Sequence, residues 1–226
     1  MFKKILLTLT VAIPFFGLAF LLTGSPPRTH YDNLPWDVEV HADGTSSVFG
    51  IHLEQTPLSE LRERFMVFPS LALFQSRKDG QSLEAYFGPV KLGPFEANFL
   101  AVLAADEQTL AGFAERAVHG KATPSGARRL ELSENDTRAA LALPVVEITY
   151  VPRARYDEDS VLARFGEPAR RLPMDDGRRY WLYPEQGLVL MFNRRGRDVL
   201  HYVAPARFDE AQGRILAGEG LDRMLP

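Results

Sequence analysis

The sequence predicts an α+β fold, in which an N-terminal transmembrane helix precedes two units that each combine helices with an antiparallel sheet. Three observations predict this class. Residues 5–22 carry no charged side chain and follow Lys3 and Lys4. After residue 47, short apolar runs alternate with turn signals and with helical patterns. The order of these patterns occurs twice along the chain, as expected of a tandem repeat.

Composition places the chain among ordinary globular proteins. It has 226 residues, of which 46% are hydrophobic and 24% charged, with a net charge of -3. These values exclude disordered, collagen-like and coiled-coil proteins. The chain has no cysteine, which excludes disulfides, thiolate nucleophiles, cysteine-based zinc sites and the lipid-modified cysteine of a bacterial lipoprotein. Without a basic surface, no nucleic-acid partner is expected.

Residues 1–24 are predicted to insert into a membrane. As a helix, residues 5–22 would span about 27 Å, close to the roughly 30 Å of a bilayer core. Lys3 and Lys4 favour a cytoplasmic N-terminus, so the chain after Gly24 is expected on the far side of the membrane. We interpret the segment as an uncleaved anchor, with a cleaved signal peptide as the alternative. Residues 25–46 form a linker and an extended entry segment.

The first unit, residues 47–120, is predicted to contain a strand, a helix, three strands and a second helix. A threonine followed by proline at Thr56-Pro57 predicts a helix start, and Asp106 predicts the cap of the second helix. Apolar runs bounded by Gly, Pro and Asp predict the strands. These are expected at 48–53, 71–75, 82–87 and 95–103.

A linker at residues 121–132 is predicted to separate the first unit from the second, residues 133–226. The second unit is predicted to begin with a short helix from Ser133 and to continue with a helix between Asp157 and Gly166. A last helix closes the chain with three apolar residues on one face. The strands are expected at 145–151, 179–183, 188–193 and 198–203.

Matching positions in the two units favour an internal duplication. Arg64-Phe65 ends a predicted helix in the first unit, and Arg164-Phe165 does so in the second. An Asp-Gly turn follows in each unit, at Asp79-Gly80 and Asp176-Gly177. Asp-Gly turns are frequent in proteins, so coincidental α+β packing stays open as the alternative.

The candidate binding surface lies on the predicted hairpins of the second unit. Alternation places Arg179, Trp181 and Tyr183 on one side of their strand, and the following turn carries Arg194 and Arg195. Trp, Tyr and Arg are the residues that anchor protein interfaces. The sequence therefore predicts a protein partner on this face, and burial of the face against the rest of the chain is the alternative.

Motifs of catalysis and of cofactor binding are absent from the sequence. It contains no GxSxG, HExxH, phosphate-loop or GxGxxG pattern. His52 and Glu54 would share one face of a strand, which suits a metal or acid-base pair, but no third ligand is identifiable and we interpret them as a hydrogen-bonded surface pair. We predict neither catalytic nor metal-binding residues and no cofactor. A hydrolase that uses His52 or His201 stays open as the least favoured alternative.

Residues 156–205 resemble the repeat unit of the SmpA/BamE-like envelope proteins. The resemblance rests on a helix ending in RFGEP, an Asp-Gly turn, and the runs RRYWLYP, GLVLMF and DVLHYV. The tandem form of this family is similar to the β-lactamase inhibitor protein. The resemblance implies a protein-binding or assembly role in the bacterial envelope, without cofactor or catalysis. The chain lacks the lipidated cysteine of the outer-membrane members.

These observations together predict a membrane-anchored interaction or scaffold module. The expected location is the bacterial inner membrane, contacted through residues 5–22, with the remaining chain and its protein partner in the periplasm. The alternative location is the periplasm itself, after cleavage. The alternative function is a small-ligand or lipid-binding module, which a pocket of several hundred Å³ between sheet and helices would favour.

Overall fold

A ten-stranded antiparallel sheet dominates the structure, a computed structural model that describes residues 31–76, 80–124 and 126–217. A smaller antiparallel sheet precedes it, with strands β1 (Glu39–Val40), β2 (Ser46–Val48) and β3 (Ile51–His52). The large sheet contains β4 (Ser70–Ser76), β5 (Gly80–Leu92), β6 (Phe95–Leu103), β7 (His119–Ala122), β8 (Arg128–Glu131), β9 (Val145–Pro152), β10 (Arg170–Pro173), β11 (Arg178–Tyr183), β12 (Leu188–Asn193) and β13 (Val199–Val203). Their spatial order is β10-β11-β12-β13-β9-β6-β5-β4-β8-β7.

Five short α-helices of 7 to 9 residues connect or cover the strands in the described part of the chain. Three of them begin where the sequence predicts a cap, because the side chains of Asp106, Ser133 and Asp157 accept hydrogen bonds from backbone N–H groups in the first turn. The helices are α1 (Leu58–Phe65), α2 (Glu107–Glu115), α3 (Glu134–Ala140), α4 (Glu158–Phe165) and α5 (Phe208–Leu216).

The predicted α+β class with two helix-plus-sheet units is wrong, since the structure is mostly β and its main sheet is continuous. Strands β6 and β9, one from each predicted unit, pair directly from Ala97 with Pro152 to Leu103 with Val145. Backbone hydrogen bonds therefore join the two halves into one sheet. Residues 121–132, predicted as a linker, contribute β8 and the end of β7, which form the hairpin at one edge.

The predicted transmembrane helix cannot be compared with the structure, because residues 1–24 lie outside the described residues. Among the described residues, no helix is long and apolar enough to cross a membrane.

Apolar side chains project from both faces of the large sheet, and each face has its own core. On β12, Leu188, Leu190 and Phe192 belong to the first core, whereas Val189 and Met191 belong to the second. Helices α1 to α4 and the small sheet contribute to the first core. Helix α5 contributes Phe208, Ala211 and Ile215 to the second. The sheet is consequently the middle layer of the molecule near β11 to β13.

Candidate functional site

The predicted recognition residues do not form one accessible surface. Trp181 is 2% exposed and Tyr183 4% exposed, and both lie in the first core. The Trp181 ring contacts Phe192 edge-on with centroids 4.9 Å apart, and the Tyr183 hydroxyl donates to the carbonyl of Gly166 at 3.2 Å. Trp181 and Tyr183 are therefore buried against the rest of the chain, which is the alternative that the sequence left open.

The three predicted arginines lie at two separate places. Arg179 forms an ion pair with Glu158 on α4, and its guanidinium carbon lies 5.2 Å from the centre of the Phe192 ring. Arg194 and Arg195 are exposed in the turn after β12. They line an open crevice of about 280 Å³ that also includes Asp175, Asp176, Gly177 and Asn193. Arg179 is thus half-buried beside α4, whereas the two turn arginines are exposed.

His52 lies in a polar cluster of the small sheet. Its Nε2 is 2.7 Å from Thr45 Oγ1, and its ring stacks on His41 with centroids 4.2 Å apart. The Thr45 hydroxyl donates its proton to Asp43 at 2.6 Å, which lowers the pKa of that carboxyl group. Since this proton is committed to a carboxylate, Thr45 accepts from His52 and is not activated as a nucleophile. Glu54, the predicted partner of His52, takes no part in the cluster.

A cavity of about 340 Å³ lies on the second face of the sheet, beside α5; we call it the α5 cavity. His201 on β13 lines it and is 6% exposed. His201 Nδ1 lies 3.1 Å from Thr149 Oγ1 on the neighbouring strand, and Nε2 has no hydrogen-bond partner within the described residues. Burial, with the Arg214 charge as the smaller cause, lowers the pKa of His201 to about 4, so the imidazole is neutral at pH 7.

Exposed apolar side chains gather in the segment between α1 and β4. Met66 is 90% exposed and Phe68 60% exposed. Met66 ends α1 in a left-handed conformation, with φ 52°, which turns the chain sharply towards β4. Phe68 lines a depression of about 300 Å³ together with Arg129 and Glu131 of β8. Solvent-exposed Met and Phe next to each other are typical of contact surfaces.

Basic side chains lie on the β7–β8 hairpin beside this segment. Lys121 pairs in register with Arg129, so two cations stand directly opposite each other on adjacent strands. The Arg129 guanidinium donates to Ser70 Oγ at 3.1 Å. The Arg128 side chain lies over Gly120 on the neighbouring strand. Its Nε is 2.8 Å from the position that a Cβ would occupy at Gly120. We call Met66, Phe68, Lys121, Arg128 and Arg129 the edge surface.

Sequence reasoning did not find the edge surface or the α5 cavity. Nothing local distinguishes Met66 and Phe68 from core residues, because their exposure depends on where β8 and α1 lie in the fold. His201 was singled out as a histidine on a strand, yet its burial follows from the pairing of β13 with β9. Within the described residues, no three His, Asp or Glu side chains are grouped so as to hold a metal ion.

Comparisons of the chain with protein-family models, with curated proteins and with solved structures find no match. The similarity of residues 156–205 to the SmpA/BamE-like repeat stays a prediction from the residues that carry it.

Proposed function

We propose that this protein is a non-catalytic interaction module of the bacterial envelope, held at the inner membrane by residues 5–22 with the rest of the chain in the periplasm. The uncharged run after Lys3 and Lys4 supports the anchor. Release into the periplasm after cleavage is the alternative. The observation that carries the interaction role is the edge surface, where exposed apolar and basic side chains border an open strand.

Strand β7 offers unpaired backbone groups to a partner. It is the last strand at its edge of the sheet, and its four residues are all exposed. The N–H of Thr123 donates inward to Ala127 at 2.8 Å. Because inward and outward groups alternate along an antiparallel strand, the N–H and C=O of Gly120 and Ala122 point outward. An extended segment of another protein can pair with these groups.

The charges on this edge favour an acidic partner. Like charges directly opposite each other destabilise an antiparallel pair, and Lys121 and Arg129 form no ion pair with the described carboxylates. Carboxylates on an incoming strand would relieve this repulsion while its apolar side chains cover Met66 and Phe68. The partner segment is therefore an extended peptide that contains Asp or Glu and apolar residues.

Site-specific photocrosslinking in intact cells tests this proposal. Benzoylphenylalanine replaces Phe68 in one full-length variant and Val40 in a control, because Val40 is also exposed, at 49%, but lies on the small sheet. We expect an adduct at position 68 and none at position 40. Mass spectrometry of the adduct should identify an acidic peptide. An adduct pattern that is the same at both positions, or a basic cross-linked peptide, would contradict the proposal.

A further inference from the structure

The second face of the sheet carries apolar side chains on β4 as well as beneath α5. Strand β4 places Leu73 in the first core, so the alternate residues Ala72 and Phe74 project from the opposite face. Tyr86 of β5 and Leu100 of β6 pair in register and project on the same side. A depression of about 80 Å³ lies between these side chains. We call Ala72, Phe74, Tyr86 and Leu100 the β4 face.

Ala72 and Phe74 are buried, although they belong to neither core of the described residues. Ala72 is 2% exposed and Phe74 8% exposed, whereas the second core extends no further than β5 in this direction. The neighbours of Phe74 in register are Ser82 and Arg129, which flank its ring on the same sheet face. Burial of an aromatic ring on a sheet face requires a further layer above the sheet. The question is which part of the chain forms that layer over β4.

Residues 218–226 follow α5 directly and are long enough to reach the β4 face. Ile215 near the end of α5 lines the α5 cavity together with Leu83 of β5, so the helix end lies across this cavity from β5. Adjacent strands are about 4.8 Å apart, and β4 is the next strand after β5. The segment 218–226 can span about 30 Å when extended. It contains the apolar residues Leu221, Met224 and Leu225.

The polar groups that border the β4 face already have partners. Glu84 lines the depression, is 4% exposed and takes part in an interaction of its own. The Arg129 guanidinium donates to Ser70 Oγ at 3.1 Å. Apolar contact is therefore the interaction that this face offers, and removal of apolar surface from water favours it.

We propose that residues 218–226 pack on the β4 face, where Leu221, Met224 and Leu225 form the layer above Phe74. This contact extends the second core from β5 to β4. The inference does not rest on the proposed function, because Met66 and Phe68 of the edge surface lie outside the β4 face.

Photocrosslinking of the purified full-length chain in detergent micelles tests the proposal. Benzoylphenylalanine replaces Tyr86 in one variant and Phe68 in a control, because Phe68 is exposed on the edge surface. We expect mass spectrometry of the monomer to join position 86, but not position 68, to a peptide from residues 218–226. Absence of that adduct at position 86, or an adduct there with residues 1–24 or with a second copy instead, would overturn the proposal.

Two double variants determine which side chains hold the segment. Leu221→Asp with Leu225→Asp should lower the adduct yield at position 86 and accelerate amide hydrogen exchange in β4, each at least tenfold. Glu219→Gln with Asp222→Asn is the matched control, which changes only charge and should alter both measurements less than twofold. Unchanged exchange in β12 shows that each variant is folded. An unchanged yield in the leucine variant, or an equal loss in the control, would contradict apolar docking of this segment.

Discussion

Phe49 and Met66 both have a left-handed backbone conformation, but only Phe49 has a buried side chain. Phe49, with φ 56°, and Gly50, with φ 68°, form the turn between β2 and β3. A non-glycine residue in this region costs of order 1–3 kcal/mol. The buried Phe49 ring offsets that cost by stacking on Tyr150, with centroids 5.1 Å apart. Met66 has the same conformation but an exposed side chain, so folding gains no comparable burial from it.

Truncation of these two side chains should separate the two cases. Phe49→Ala is expected to lower the free energy of unfolding by about 3–5 kcal/mol, because it leaves a cavity among aromatic rings. Met66→Ala should change it by less than about 0.5 kcal/mol. Urea titrations of both variants measure the difference. Similar losses for both variants would show that Phe49 does not pack as described.

Because the imidazole of His201 is buried in its neutral form, the stability of the protein depends on pH. Its folded pKa of about 4 lies below the ordinary value of 6.5, so between these values the unfolded chain binds a proton that the folded chain does not. Stability contributed by the neutral imidazole is therefore complete above pH 6.5 and is lost as the pH falls towards 4, by up to about 3 kcal/mol.

Comparison with a variant that lacks His201 isolates this effect. We expect the free energy of unfolding of the wild type to fall more steeply between pH 6.5 and 4 than that of His201→Gln. His119→Gln removes an exposed histidine and should follow the wild type. Parallel curves for the wild type and His201→Gln, measured by denaturant titration at each pH, would contradict the assigned pKa.

At the scale of elements, local signals predicted most helices and strands, and the deviations have local causes. Helix α1 begins after Pro57 without a side-chain cap, because the Thr56 hydroxyl accepts instead from the N–H of His52 at 2.9 Å. Strand β5 continues to Leu92 rather than ending at Phe87, since a bulge between Tyr86 and Gly88 lets the pairing with β6 resume.

The turn before β12 should depend on one glycine. Gly187 has φ 64°, and a Cβ there would lie 1.9 Å from the carbonyl oxygen of Val203. Gly187→Ala should therefore destabilise the protein by about 3 kcal/mol or more. Gly177 has φ 86° but open space around it, so Gly177→Ala should cost only about 1 kcal/mol. Thermal unfolding of both variants measures the difference, and equal losses would contradict the close approach at Val203.

At the scale of the whole molecule, the pairing of distant strands was not predictable from the sequence. The apolar alternation of β6 and β9 indicates that each is a strand, but neither sequence indicates which other strand it pairs with. The same holds for the burial of Trp181, which depends on the other members of the first core. Which side chains of the candidate site are buried and which are exposed is therefore determined by the assembled sheet.

A continuous sheet predicts one cooperative unfolding transition. Two independent units would unfold at two midpoints, whereas strands that share a sheet lose their hydrogen bonds together. Far-ultraviolet circular dichroism reports the sheet, and fluorescence reports Trp36 and Trp181, which both pack in the first core. We expect the two signals to coincide during denaturant titration. Separate midpoints would contradict the continuity of the sheet across β6 and β9.

In the proposed function, the edge of β7 binds an acidic extended segment. The most direct test is the yield of the position-68 photocrosslink after reversal of two edge charges, Lys121→Glu with Arg128→Glu. Arg195→Glu with Arg197→Glu is the matched control, because these two arginines are exposed in the turn after β12, away from the edge surface. We expect a loss of about tenfold in the first variant, about 1.4 kcal/mol, and no change in the control. An unchanged yield after reversal at Lys121 and Arg128 would contradict it.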